Sequence, residues 1–128
     1  MELTNHHLPL IYHTHIMKKS QMIFFEEAAR ECSKSHHSRH HHGSVATSGN
    51  RIISRGSNFN HVHAEVSSLP KGILAAHKNI QVYVVRSNNS GDLINSRPCD
   101  KCEKYMRKNG VSRVYFSSEK NEFDCIKF

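Results

Sequence analysis

With 128 residues, 37% of them hydrophobic and 23% charged, the chain has the balance of one ordinary globular domain and is too short for two independent cores. No run approaches the roughly 18 apolar residues of a membrane span, and Met1-Glu2-Leu3-Thr4 lacks the basic-then-apolar order of a secretory leader. No membrane partner and an intracellular, cytoplasmic setting are therefore expected, and the formal net charge of +7 favours anionic partners, although a merely soluble basic surface has the same charge.

Residues 1–16 read as an extended arm: Pro9 interrupts any period, and Leu8, Leu10 and Ile11 form a short apolar anchor. Its His6, His7, His13 and His15 meet no cysteine or carboxylate at a ligand spacing. A single domain over 17–128 follows. Met22, Phe25, Ala29 and Cys32 recur at three- and four-residue steps and predict a helix from Met17 to Ser35, with Ser20 near its cap. Glu26, Glu27, Arg30, Glu31 and Lys34 supply its polar face.

Ser35 to Ser44 (SHHSRHHHGS) is basic and rich in histidine. A solvated loop and a phosphate-binding loop built on Arg39 are both open readings, and a second metal site, the third, has no acidic or thiolate partner here. Gly43 suits a place where backbone must approach closely. The β-branched runs 44–48 and 51–55 flank Gly49-Asn50, a favoured hairpin turn. Gly56 to Asn60 is a polar loop leading to His61-Val62-His63. A helix is expected from Val62 to Leu69, ended or bent at Pro70-Lys71-Gly72, before a second apolar stretch at Ile73 to Ala76.

Ile80 to Arg86 (IQVYVVR) reads as a buried central strand, and Ser87 to Arg97 as a turn-rich loop. A helix over Pro98 to Lys108 would hold Pro98 in its first turn and end at Asn109-Gly110. Strands follow at Val111 to Ser117 and within Glu122 to Phe128. The link between them, Ser118 to Asn121, is too short for a crossover helix, so these last two strands should form an antiparallel hairpin.

Two short motifs carry the chemistry: His63-Ala64-Glu65, and Pro98-Cys99-Asp100-Lys101-Cys102. H-x-E alone says little. C-x-x-C is stronger, because two thiolates one helical turn apart can grip a single soft or borderline ion. That leaves Cys32 and Cys125, which in a reducing compartment read as buried apolar residues rather than a disulfide.

In this order the motifs match the H-x-E…P-C-x-x-C signature of zinc-dependent nucleobase deaminases. From about Met22 to Phe116 the chain resembles the cytidine deaminase-like superfamily. The architecture expected is an α/β domain of three layers, α/β/α, with a five-stranded mixed sheet. The resemblance implies Zn2+ held by His63, Cys99 and Cys102 with its fourth position open. A zinc-bound water, acidified from about 15.7 towards roughly 7, would be the nucleophile. Glu65 would pass its proton to the ring nitrogen and then, with a second proton, protonate the departing ammonia. Asn58 resembles an asparagine that hydrogen-bonds the sugar, beside the plainer reading of an asparagine holding a turn. His42, Gly43, Ser44 and Ala64 are candidates to line the base pocket.

The expected reaction is hydrolytic deamination of a cytosine-type free nucleoside or nucleotide, since the terminal hairpin resembles the free-nucleoside branch. The tRNA adenosine and polynucleotide cytosine deaminases instead place a helix before a parallel fifth strand. A DNA or RNA deaminase is the alternative that the basic charge and the histidine-rich loop favour. A non-catalytic structural zinc module binding nucleic acid is the other. It would need a fourth ligand, from His61 or His77, and would have no use for Glu65 at that offset. RIISRGSNFN stands where free cytidine deaminases carry an F-E-x-N-like element, and Arg97 before Pro98 has no assigned role. The resemblance also implies a homo-oligomer, a dimer or tetramer in which a neighbour closes the pocket.

Overall fold

A computed structural model of the chain describes residues 11–13, 18–35, 41–58, 63–119 and 122–128, apart from the side chains of 11–13 and of Glu65. In chain order the elements are β1 (Ile11–His13), α1 (Lys19–Cys32), β2 (His41–Ser48), β3 (Arg51–Ser57), α2 (Ala64–Ser67), α3 (Lys71–Ala76), β4 (Ile80–Ser87), β5 (Leu93–Ile94), α4 (Asp100–Lys108), β6 (Val111–Ser117) and β7 (Phe123–Lys127). Among these residues no helix is long and apolar enough to cross a membrane.

The strands form one mixed sheet in the order β1-β7-β6-β4-β2-β3, and β5 pairs back onto β4. Both expected hairpins are present: β2 and β3 pair antiparallel around Gly49-Asn50, and β7 returns antiparallel along β6. Central β4 runs parallel to β6 and antiparallel to β2. Its Val82, Tyr83, Val84 and Val85 are all buried, as an apolar strand covered on both faces requires. The expected five strands are thus β3-β2-β4-β6-β7. Two short ones are added: Leu93 and Ile94 within the turn-rich loop, and Ile11–His13, which pairs antiparallel with β7. Residues 1–10 and 14–16 of the arm lie outside the described residues.

Helix α1 covers one face of the sheet and α2, α3 and α4 the other, giving three layers. The α1 face is aromatic: Phe24 and Phe25 meet Tyr83, Tyr115 and Phe123, and the Tyr83 and Tyr115 rings stack with centroids 4.6 Å apart. The opposite face is mainly aliphatic, with Leu69, Ile80, Val82, Val84, Met106, Val114 and Ile126 packed around Phe116. Burying each large side chain contributes about 1.5–3 kcal/mol.

Two glycines set how closely the helices approach. A Cβ on Gly43 would lie 2.2 Å from the Ala28 carbonyl of α1, and one on Gly56 would lie 2.7 Å from the Ala64 carbonyl of α2. Neither position has room for a side chain.

Several expected boundaries move. Helix α1 is capped by Lys18, not Ser20, because the Gln21 side chain reaches back to accept from the Lys18 N–H at 2.8 Å. Its buried stripe is Phe24, Phe25, Ala28 and Cys32, with Met22 and Ala29 only partly buried at its margin. Glu31, expected on the polar face, is buried and lies 3.0 Å from Lys34 Nζ and 3.7 Å from Arg55 Nη1. The helix expected at 62–69 is a single turn, since Pro70 caps the separate helix α3. Pro98 lies outside α4 because Cys99 takes the cap. Gly110, at φ 86°, ends α4 as expected.

Candidate functional site

Strands β3 and β4 both run antiparallel to β2, so the segments leaving their carboxyl ends emerge at the same end of the sheet. The first carries His63 and the second Cys99 and Cys102. His63 caps α2 and Cys99 caps α4, both in extended conformation, while Cys102 sits in the first turn of α4. The three converge. His63 Nδ1 is 3.1 Å from Cys102 Sγ and 3.6 Å from Cys99 Sγ, and the two sulfurs are 3.5 Å apart.

Four-coordinate zinc with Zn–S of about 2.3 Å and Zn–N of about 2.0–2.1 Å sets its ligand atoms about 3.5–3.8 Å apart. The two Cys99 separations, 3.6 and 3.5 Å, fit that ion, the His63–Cys102 one at 3.1 Å is tighter, and a set of one imidazole and two thiols suits zinc chemically. Cys102 is buried while His63 and Cys99 are exposed, so the grouping is held from inside and open towards solvent. Among the described residues it has three members and His77 is not one of them, while His61 lies outside those residues. An open three-ligand set is what a catalytic zinc site keeps and a closed structural one lacks. Both cysteines also sit at the amino end of α4, where backbone N–H groups and the helix dipole favour thiolates.

Serines hold these short segments, Ser44 among the expected pocket residues and Ser67, Ser68, Ser96 and Ser117 ones that the sequence did not single out. Ser44 Oγ on β2 lies 2.7 Å from Ser68 Oγ and 3.1 Å from the Ala64 carbonyl, fixing α2 to the sheet. Ser67 Oγ lies 3.0 Å from the Ser57 carbonyl. Ahead of Pro98, buried Ser96 donates to the Val84 carbonyl at 2.9 Å and accepts from the Ser117 N–H at 2.8 Å. The Ser117 hydroxyl in turn meets the Ile94 carbonyl at 2.6 Å. Tyr105 ties the two ligand-bearing segments together, donating to the Leu69 carbonyl at 2.8 Å. A small hydroxyl residue inside an apolar strand pattern was the available signal, and it is a weak one.

The remaining candidates fall in different places. Ser44 and Ala64 are buried together beneath α2, and His42 lies on the same face of β2 as Ser44. Gly43 faces α1, on the other side of the sheet. Asn58 Oδ1 accepts from the His42 N–H at 2.9 Å and from the Ser35 hydroxyl, joining the end of α1 to the start of β2. Arg97 is half-buried, with its guanidinium carbon 5.7 Å from the Phe116 ring centroid, a cation–π contact. Glu65 is the second residue of α2. Arg39, Asn60, His6, His7 and His15 lie outside the described residues.

The family model of the cytidine and deoxycytidylate deaminase zinc-binding region matches residues 18–118. No curated protein sequence matches the chain. Among solved structures, the dCMP deaminase of cyanophage S-TIM5 in apo form is similar over 82% of this chain and 88% of that one, at 20% identity and TM-score 0.61. Cytidine deaminase of Mycobacterium tuberculosis is similar over 80% of this chain and 91% of that one, at 15% identity and TM-score 0.56. Acinetobacter baumannii RibD is similar over 75% of this chain but only 27% of its own, at 19% identity and TM-score 0.53. At these identities the likeness establishes the fold. Fold and metal grouping together define a zinc-dependent deaminase domain of three layers. The chain belongs to the cytidine and deoxycytidylate deaminase zinc-binding family.

Proposed function

We propose that the protein hydrolytically deaminates a cytosine-type free nucleoside or nucleotide, exchanging the exocyclic amine for a carbonyl oxygen and releasing ammonia. The observation carrying the free-substrate reading is the antiparallel return of β7 along β6, the hairpin that resembles the free-nucleoside branch. The S-TIM5 enzyme, similar in fold, has been solved in complex with dCMP and dUMP, which supports a substrate of that size.

Zinc, held by His63, Cys99 and Cys102, would supply a Lewis acid that makes water a nucleophile at neutral pH. Glu65 follows His63 by two residues, so its carboxylate can serve the same cavity without being a ligand. It takes one proton from the attacking water and delivers it to the ring nitrogen, then takes the second from the hydroxyl now on the ring carbon and gives it to the amine as the C–N bond breaks, leaving a carbonyl and ammonia. Such a shuttle contributes about 10²–10⁴-fold. Asn58, anchored through its Oδ1 between α1 and β2, is the residue we assign to the sugar, and Ser44, Ala64 and His42 are those we assign to the base.

The second reading, a deaminase of DNA or RNA, is favoured by the net charge of +7. An ammonia-release assay on zinc-loaded protein separates the two, comparing cytidine, deoxycytidine, their monophosphates and a single-stranded oligonucleotide. Turnover of a free substrate but not of the oligonucleotide is expected, and oligonucleotide turnover alone would reverse the assignment. Glu65→Gln should retain zinc and lose about 10²–10⁴-fold in rate. Full activity in that variant would remove Glu65 from the mechanism.

A further inference from the structure

Arg97 stands in the segment that leads into the zinc ligands, and the chemistry described above gives it no work. Its backbone is fixed on both sides. Ser96 before it is buried and its N–H donates to the carbonyl of Ser117, the last residue of β6, at 2.7 Å. Pro98 after it is buried as well, and the Arg97 N–H donates to Asn95 Oδ1 at 3.0 Å. The residue therefore leaves the carboxyl end of the sheet at a set place, two positions ahead of Cys99, which caps α4.

The side chain is fixed too. Its guanidinium carbon lies 5.7 Å from the centroid of the Phe116 ring, and Phe116 belongs to the apolar cluster that also buries the ligand Cys102. A ring face takes up the flat side of a guanidinium and leaves the N–H groups around its edge for other partners. Among the described residues no carboxylate meets them, in contrast to Arg30 and Arg55, which both pair with Glu27. Covering Phe116 would need only an aliphatic stem. A planar fork of five donors is suited to something more, because it can hold two oxygens of one phosphate at once.

We propose that Arg97 receives the phosphate of the substrate, so that the site selects a nucleoside monophosphate over the free nucleoside. The inference rests on the deaminase reading and narrows its substrate class. With the base at the zinc ligands, a nucleotide carries its phosphate one sugar further out. The partner of that phosphate has to stand beside the metal grouping and not within it, and the Pro98-Cys99 link holds Arg97 there.

Two measurements test the assignment. In the first, deoxycytidine and its monophosphate are titrated calorimetrically into zinc-loaded Glu65→Gln protein, alone and with Arg97→Met or Arg97→Gln added. The variants are first checked for melting point and zinc content, and Arg97→Gln keeps the test available if the apolar replacement fails to fold. The monophosphate should bind at least about tenfold more tightly than the nucleoside, and either Arg97 variant should remove most of that difference, as expected when a charged hydrogen-bonding partner is lost. In the second, ammonia release is followed with Glu65 intact. The ratio of kcat/KM for the monophosphate over the nucleoside should fall about tenfold in the Arg97 variants, chiefly through KM. Equal affinity for the two ligands, or a monophosphate preference that survives in the folded variants, would overturn the assignment and leave deamination standing. Arg97-dependent binding of the monophosphate without ammonia release would instead keep the phosphate contact and remove the deaminase reading.

Discussion

Each face of the sheet holds two of the four cysteines, and the two pairs have opposite chemistry. Cys99 and Cys102 stand at the amino end of α4 with sulfurs 3.5 Å apart and an imidazole beside them. Cys32 and Cys125 belong to the aromatic cluster under α1, where each is free and buried. Loss of water pushes the Cys32 thiol up to about 11 and the Cys125 thiol up to about 12. The same side chain is therefore a metal ligand on one face and a small apolar filler on the other. Backbone placement decides which: a helix terminus favours the thiolate, and an aromatic core suppresses it.

The largest effect should come from converting a ligand on the zinc face. Cys102→Ser removes a buried thiolate at the inner side of the grouping, so zinc and ammonia release should both fall below detection. Cys125→Ala, on the other face, should retain both. Metal analysis after dialysis against a weak chelator checks the contrast. Stoichiometric zinc in Cys102→Ser would break the distinction between the pairs.

The two buried glycines give a second contrast. Gly43→Ala drives a Cβ to within 2.2 Å of the Ala28 carbonyl and 2.5 Å of the Cys32 N, and backbone cannot step aside cheaply. Overpacking of this kind costs about 3 kcal/mol. Stability should drop while zinc affinity stays, because α1 carries no ligand. Gly56→Ala presses instead on Ser67, Ser68 and Ala64, displacing α2 and with it His63. There the denaturation midpoint and the zinc affinity should fall together, and an unchanged zinc affinity would show that α2 does not position His63.

Why these glycines matter was only half legible in the sequence. The hairpins, the central strand and the metal triad follow from local signals: a Gly-Asn turn, an unbroken apolar run and a C-x-x-C spacing. The face of α1 was not local. Apolar residues at 22, 24, 25, 28, 29 and 32 cover so much of the helix that spacing alone cannot choose the stripe. Gly43 chooses it by admitting Ala28, an interaction between elements separated in sequence. Ser68, Ser96 and Ser117 looked like ordinary polar residues and Ser44 like a pocket residue, yet all four are buried and hold the ligand-bearing segments. The pairing of Ile11–His13 was equally unreadable, because three residues carry no periodicity and the β7 edge supplies the partner.

A smaller effect separates the cysteine pairs by pH. The unperturbed thiol value is 9.0, and the folded values for Cys32 and Cys125 are about 11 and about 12. Below the unfolded value both states keep their protons and these thiols give no pH dependence. Above it the unfolded chain ionises while the folded one does not, so stability falls as pH rises from 9 towards 11 for Cys32 and towards 12 for Cys125. Urea midpoints at about pH 8 and about pH 10.5 should converge more in Cys125→Ala than in wild type. An equal drop in both proteins would mean that the Cys125 thiol is not shielded from water.

The smallest effect tests how the two ligand-bearing segments of the zinc face are joined. Tyr105 projects from α4, and its hydroxyl meets the Leu69 carbonyl just after α2, a bond between the segment holding Cys99 and Cys102 and the one holding His63. Tyr105→Phe keeps the ring and leaves that carbonyl without this donor, at a cost of about 1 kcal/mol. If the bond also holds the ligands in register, zinc affinity should fall by about fivefold in parallel, because 1 kcal/mol spent bringing the segments together comes out of the binding equilibrium. A stability loss with unchanged zinc affinity would confine the bond to packing, and would leave the serines under α2 and before Pro98 as what positions the three ligands.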